Sequence, residues 1–188
     1  MSIFAVYGGS FDPPHDGHLK AFKLLIQQKL LNGIVFLPSG GNPFKKVSSS
    51  SADREKLISN WFMDLMTEID AKKISDDQWL VREKTLILDF QALRNQESST
   101  LSSLERIESY KLADELVIVI GSDLVNQVQS WQFSEQLIQR YCFLVIPRGG
   151  YQRVFPASFR ELAMDLSNFQ PCELSSTMLR GDHDKSYE

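Results

Sequence analysis

The chain predicts an α/β domain built on an open, doubly wound parallel sheet of about five strands, and three observations carry that prediction. Short β-branched runs alternate with stretches of helical period along the 188 residues. The first run, residues 3–7, leads into a glycine-rich turn and then a helical pattern, as a βαβ unit requires. Composition, 43% hydrophobic and 23% charged, supplies a core of the size one such domain needs.

After the first strand, Leu19, Phe22, Leu25, Ile26 and Leu30 fall on one helical face, and Gly33 is expected to end that helix ahead of a second strand at 34–37. Residues 52–69 read as a helix, with Asp53 and Glu55 in its first turn and Leu57, Ile58, Trp61, Phe62 and Leu65 as its buried stripe. A strand is expected at 79–81 and a helix at 85–94. Residues 96–103 are rich in Ser and Thr and read as a polar surface loop inserted in the single domain. Strands follow at 116–120 and 143–146, with helical or turn-like material at 124–131 and 133–140 between them. A helix at 159–166, a brief extended piece, a helix from about Ser176 and a polar tail at 181–188 complete the reading.

Several functional classes are disfavoured by composition. The net charge is −4, from 24 acidic and 20 basic residues, so no broad nucleic-acid surface is expected and any phosphate binding is local. Cys142 and Cys172 make neither a disulfide framework nor a metal-ligand spacing. No apolar run approaches the roughly 20 residues of a membrane span, and the N-terminus carries neither a charged region nor a long apolar one. The expectation is a reduced, cytoplasmic protein away from the membrane, with homo-oligomer formation left open.

The chemistry concentrates in residues 8–18, Gly-Gly-Ser-Phe-Asp-Pro-Pro-His-Asp-Gly-His. Glycines allow a backbone to approach a ligand closely, and the helix start that follows offers N–H groups and positive potential to an anion such as phosphate. His15 and His18 add donors to the same place. A satisfied core histidine needs no glycine-rich neighbour, which favours a functional reading of this pair. In an open α/β sheet ligands bind beyond the carboxyl ends of the strands. The loop 37–46 with Lys45 and Lys46, the Gly121-Ser122-Asp123 turn and Pro147-Arg148-Gly149 all fall on that side. Taken singly these signals are bland: loop lysines are usually solvated, Ser175–Thr177 is an N-cap signal, Trp131 is a boundary aromatic, and His183 in the polar tail reads as inert.

The phrase Phe11-Asp12-Pro13-x-His15-x-Gly17-His18 resembles the signature of the nucleotidyltransferase superfamily, Rossmann-like enzymes that pass AMP or CMP from a triphosphate to a phosphate-bearing acceptor. Gly8-Gly9 and Pro13-Pro14-His15 look most like nicotinate-nucleotide adenylyltransferase. That resemblance implies transfer of AMP from ATP to nicotinate mononucleotide, with pyrophosphate released and Mg²⁺ carried by the ATP and not by a protein metal site. It implies catalytic roles for His15, His18, Lys45 and Arg180. Gly8, Gly9, Ser10, Phe11, His18, Arg148, Ser176, Thr177 and Arg180 would bind ATP, the last through Leu174-Ser175-Ser176-Thr177-x-x-Arg180. Asp12, Lys45, Thr85, Asp123 and Trp131 would bind the pyridine mononucleotide, Trp131 standing eight residues beyond Asp123 as in the family's Gly-x-Asp and Trp pair. One departure concerns the acceptor carboxylate: where the family has Ser-Tyr-Thr ahead of a helix, Glu83-Lys84-Thr85-Leu86 precedes the helix placed at 85–94. Three readings stand: this adenylyltransferase; adenylyl or cytidylyl transfer to another phosphate-bearing acceptor, nicotinamide mononucleotide included; and a nucleotide-binding protein without turnover.

Overall fold

A computed structural model describes residues 1–40, 49–96, 99–149, 155, 158–167 and 169–171. Its elements are β1 (Ile3–Gly9), α1 (Asp16–Gln27), β2 (Gly33–Pro38), α2 (Ser51–Glu68), β3 (Lys72–Lys73), β4 (Gln78–Val81), β5 (Lys84–Leu88), α3 (Gln91–Arg94), α4 (Thr100–Ser109), β6 (Glu115–Gly121), a 3₁₀ segment (Ser122–Ser130), α5 (Ser134–Arg140) and β7 (Cys142–Ile146). The strands form one sheet in the order β3-β4-β5-β2-β1-β6-β7. The five strands β5, β2, β1, β6 and β7 run parallel, while β3 and β4 add an antiparallel edge.

Both faces of the parallel strands are covered, so their sequences read as continuous apolar runs. Alternate side chains divide between two cores. Ala5, Tyr7, Ile34, Phe36, Val117 and Val119 face α1 and α2, which contribute Phe22, Leu25, Ile58 and Phe62. Phe4, Val6, Val35, Ile118 and Val145 face Leu104 and Ile107 of α4, Val125 and Val128 of the 3₁₀ segment, and Leu137 of α5. From β1 the chain crosses to β2 on one side, and from β6 it crosses to β7 on the other. The strand order therefore reverses between β1 and β6, and the crevice beyond their carboxyl ends is where such sheets bind ligands. No helix among the described residues is long and apolar enough to cross a membrane.

Five details differ from the sequence expectations. Helix α1 ends at Gln27 with Gln28 as its cap, and Gly33 instead opens β2, where a Cβ would lie 2.5 Å from the Phe4 ring. Residues 84–88 are strand, not helix, and only Gln91–Arg94 is helical. The polar stretch expected as a loop at 96–103 supplies the Ser99 cap and first turn of α4. In place of a helix at 159–166, the chain lies beside β7 as an edge: Phe143 N–H donates to the Arg160 carbonyl at 2.8 Å and Leu162 N–H to the Phe143 carbonyl at 2.8 Å. On α2, Ile58, Phe62 and Leu65 are buried as expected, but Leu57 is 47% exposed. The helix expected from Ser176 lies outside the described residues.

Candidate active site at the carboxyl edge of the sheet

The loop after β1 is held by aromatic packing. Phe11, at φ 46°, is 1% exposed, stacks on Phe36 with centroids 4.3 Å apart and meets the His18 ring edge at 4.7 Å. Gly9 must be small here, because a Cβ would lie 3.1 Å from the Phe11 ring. The following Asp12–Pro13 peptide is cis.

His15 and His18 then cap α1 reciprocally. His15 Nδ1 accepts from Gly17 N–H at 3.0 Å, and His18 Nδ1 accepts from His15 N–H at 3.2 Å, two of the donors a helix start leaves unsatisfied. A ring nitrogen that accepts carries no hydrogen, so in each neutral imidazole Nε2 is the N–H donor. The two rings lie 3.7 Å apart and are 7% and 9% exposed. Two oriented N–H donors at a helix N-terminus make an arrangement suited to an anion.

Across the switch point, Gly121, Ser122 and Asp123 leave β6. Asp123 Oδ1 lies 3.3 Å from Arg148 Nε beyond β7, and Ser122 Oγ accepts from Arg148 N–H at 2.8 Å. Burial pushes the Tyr7 phenol far above its ordinary value, with Arg148 opposing the effect and Asp123 adding to it. Trp131 closes the 3₁₀ segment, half-buried against the second core.

The structure thus gathers Gly8 and Gly9 at the end of β1 with Ser10, Phe11, Asp12, His15 and His18 beyond it, and pairs Asp123 with Arg148 after β6 and β7. Lys45, Ser176, Thr177 and Arg180 lie outside the described residues. Thr85 is not brought to this edge. It pairs with Gly33 at the start of two parallel strands, and its N–H donates to the Asn32 carbonyl at 3.1 Å. Three residues at about 3.3 Å each separate it from the carboxyl end of β5, roughly 10 Å away. Because residues 84–88 are strand, the longer helix between β5 and β6 is α4, which begins at Thr100 with Ser99 as its cap, in the sequence Ser98-Ser99-Thr100. Helix α4 packs on the sheet and runs back to the start of β6, so its first turn, with Ser99 and Thr100, lies toward the carboxyl side.

Sequence reasoning also missed Arg54. It is 2% exposed, and its Nη1 donates to the carbonyls of Ser10 at 3.2 Å and Ser39 at 2.9 Å, while Nη2 donates to that of Gly40 at 2.7 Å. Burial lowers its pKa and the Asp12 charge opposes that. A signal was present: Arg54 falls on the same helical stripe as Ile58, Phe62 and Leu65.

Sheet order and switch point define a doubly wound, Rossmann-like α/β protein. The family model described as cytidylyltransferase-like matches residues 6–182, and the chain belongs to that family. Among similar proteins, the probable nicotinate-nucleotide adenylyltransferase of Sulfurimonas denitrificans is 28% identical over 96% of this chain and 85% of its own. That of Methylacidiphilum infernorum is 27% identical over 94% of this chain and 78% of its own. In fold, the chain is similar to Plasmodium falciparum nicotinic acid mononucleotide adenylyltransferase complexed with NaAD, with a TM-score of 0.70 at 18% identity, covering 96% of this chain and 83% of that one.

Proposed function

We propose that the protein is a nicotinate-nucleotide adenylyltransferase, carried above all by the reciprocal His15–His18 cap at the switch point, which holds two Nε2–H donors over a helix N-terminus. The names of its relatives support the same reaction. A phosphate oxygen of nicotinate mononucleotide attacks the α-phosphorus of ATP in line; the new P–O bond forms as the bond to the β-phosphate oxygen breaks, and pyrophosphate leaves. The acceptor phosphate, with a second pKa of about 6, is already largely ionised at pH 7, so positioning and charge stabilisation carry the rate.

His15 and His18 donate to the α-phosphate oxygens as their charge rises, and the amides of 8–11 hold the ATP phosphates. The resemblance gives Lys45, Arg180, Ser176 and Thr177 to the triphosphate and Arg148 to ATP. Asp12, Asp123 and Trp131 take the acceptor, with Ser99 and Thr100 replacing Thr85 at its carboxylate. Mg²⁺ carried by ATP would supply charge neutralisation on the departing pyrophosphate. No group of three or more His, Cys, Asp or Glu among the described residues is placed to hold a metal. The expected setting is cytoplasmic.

The test is pyrophosphate release from Mg-ATP with nicotinate mononucleotide, nicotinamide mononucleotide and phosphopantetheine in parallel. Release with the nicotinate form in preference to the others is expected. Release only with another acceptor assigns adenylyl transfer to that substrate, and ATP binding without release from any makes the chain a non-catalytic nucleotide binder.

A further inference from the structure

Arg54 stands in the first turn of α2, and its guanidinium spends three hydrogen bonds on backbone carbonyls: Ser10, Ser39 and Gly40. These are the first residues beyond β1 and the first two beyond β2, adjacent parallel strands at the carboxyl edge. A side chain holding three carbonyls from two separate loops joins those loops as a unit. Ser39 N–H, donating to the Gly9 carbonyl at 2.8 Å, adds a fourth tie between them. Ser49, just ahead of α2, donates to Asp12 Oδ1 at 3.1 Å, so the same helix start also fastens the far part of the first loop.

The consequence for an anion follows from peptide geometry. In a planar trans peptide the C=O and the next N–H point in opposite directions. Fixing the Ser10 carbonyl on Arg54 therefore aims the Phe11 N–H away from the guanidinium, and fixing the Ser39 carbonyl does the same for the Gly40 N–H. The negative ends of three peptide dipoles are turned inward onto a buried cation, and the Phe11 and Gly40 amides outward.

We propose that Arg54 is a positioning residue for adenylyl transfer, touching no phosphate itself but locking the loops after β1 and β2 together so that their amides meet the ATP phosphates. This rests on the adenylyltransferase reading above. The planar fork is essential to it, since a lysine ammonium keeps the charge but cannot span three carbonyls in one plane.

The experiment compares Arg54→Met and Arg54→Lys with the native chain at a temperature where circular dichroism shows each fully folded, measuring kcat and both KM values. Arg54→Met is expected to lose about 10²-fold in kcat/KM for ATP, the scale of a misplacement of about 1 Å, with the acceptor KM little changed. Arg54→Lys is expected to fall between. Folded variants with native kcat and ATP KM, or with both KM values raised alike, overturn the proposal. Should Arg54→Met not fold, Arg54→Lys is judged on the same criteria. A native chain inactive with every acceptor defeats the adenylyltransferase reading instead. ATP affinity by calorimetry then decides for Arg54: weakened about tenfold in the variants, the locking role stands; unchanged, it falls.

Discussion

Replacing His15 separates two roles that the structure gives to one side chain. Its Nδ1 accepts from Gly17 N–H at 3.0 Å as the cap of α1, and its ring lies 3.7 Å from that of His18, with Nε2 as the other nitrogen. His15→Ala loses the cap, worth about 1 kcal/mol, which for a chain of this size lowers Tm by roughly 2–4 °C. It also loses one preorganised donor to the phosphate, worth about 10²-fold to 10³-fold in turnover. His15→Asn divides these effects. Asn is among the best capping residues and restores the bond to Gly17 N–H, but its short side chain, engaged there, presents no donor where Nε2 stood. Thermal melts by circular dichroism and pyrophosphate release on the three proteins make the comparison. The expected result is a Tm that falls in His15→Ala and recovers in His15→Asn, with turnover low in both. Recovery of turnover together with Tm in His15→Asn would refute the reasoning and leave His15 as a cap alone.

The remaining predictions concern the same edge. His18→Ala, which removes the other Nε2 donor and the acceptor for His15 N–H, is expected to lower kcat by about 10²-fold to 10³-fold in folded protein; near-native turnover counts against its role. Gly9→Ala puts a methyl 3.1 Å from the Phe11 ring, which is stacked on Phe36 and has little room to retreat, so denaturant unfolding should show a loss of about 1–3 kcal/mol. Thr100→Ala is expected to raise KM for nicotinate mononucleotide by about tenfold, the loss of one hydrogen bond to a charged group, while Thr85→Ala leaves it unchanged. The reverse pattern returns the carboxylate contact to Thr85.

How legible this was varied with the strength of the local signal. The runs at β1, β2, β6 and β7 are apolar throughout because both faces are buried, and the turn residues after them marked the carboxyl edge correctly. Strand β5 was misread for the same reason: Leu86, Ile87 and Leu88 are all buried, so no alternation separates strand from helix. The hairpin that leads into it was silent as well. Arg82 and Glu83 occupy φ 47° and 67°, a conformation that Asn or Gly normally announces. That one error set Thr85 at the head of a helix, when it lies near the start of a strand, away from the carboxyl edge. Arg54 was hidden because a charged residue in an amphipathic helix reads as solvated, although its place on the buried stripe gave it away. Residues 159–166 carry helical spacing yet pair with the edge of β7, a long-range contact that local pattern does not encode.

The central claim is transfer of an intact adenylyl group, and it is tested most directly by identifying the products formed from Mg-ATP and nicotinate mononucleotide. Mass spectrometry of the nucleotide product alongside pyrophosphate quantitation should find nicotinate adenine dinucleotide and pyrophosphate in equal amounts, both dependent on the acceptor. ADP and inorganic phosphate as products, or pyrophosphate formed equally well without the acceptor, would contradict it.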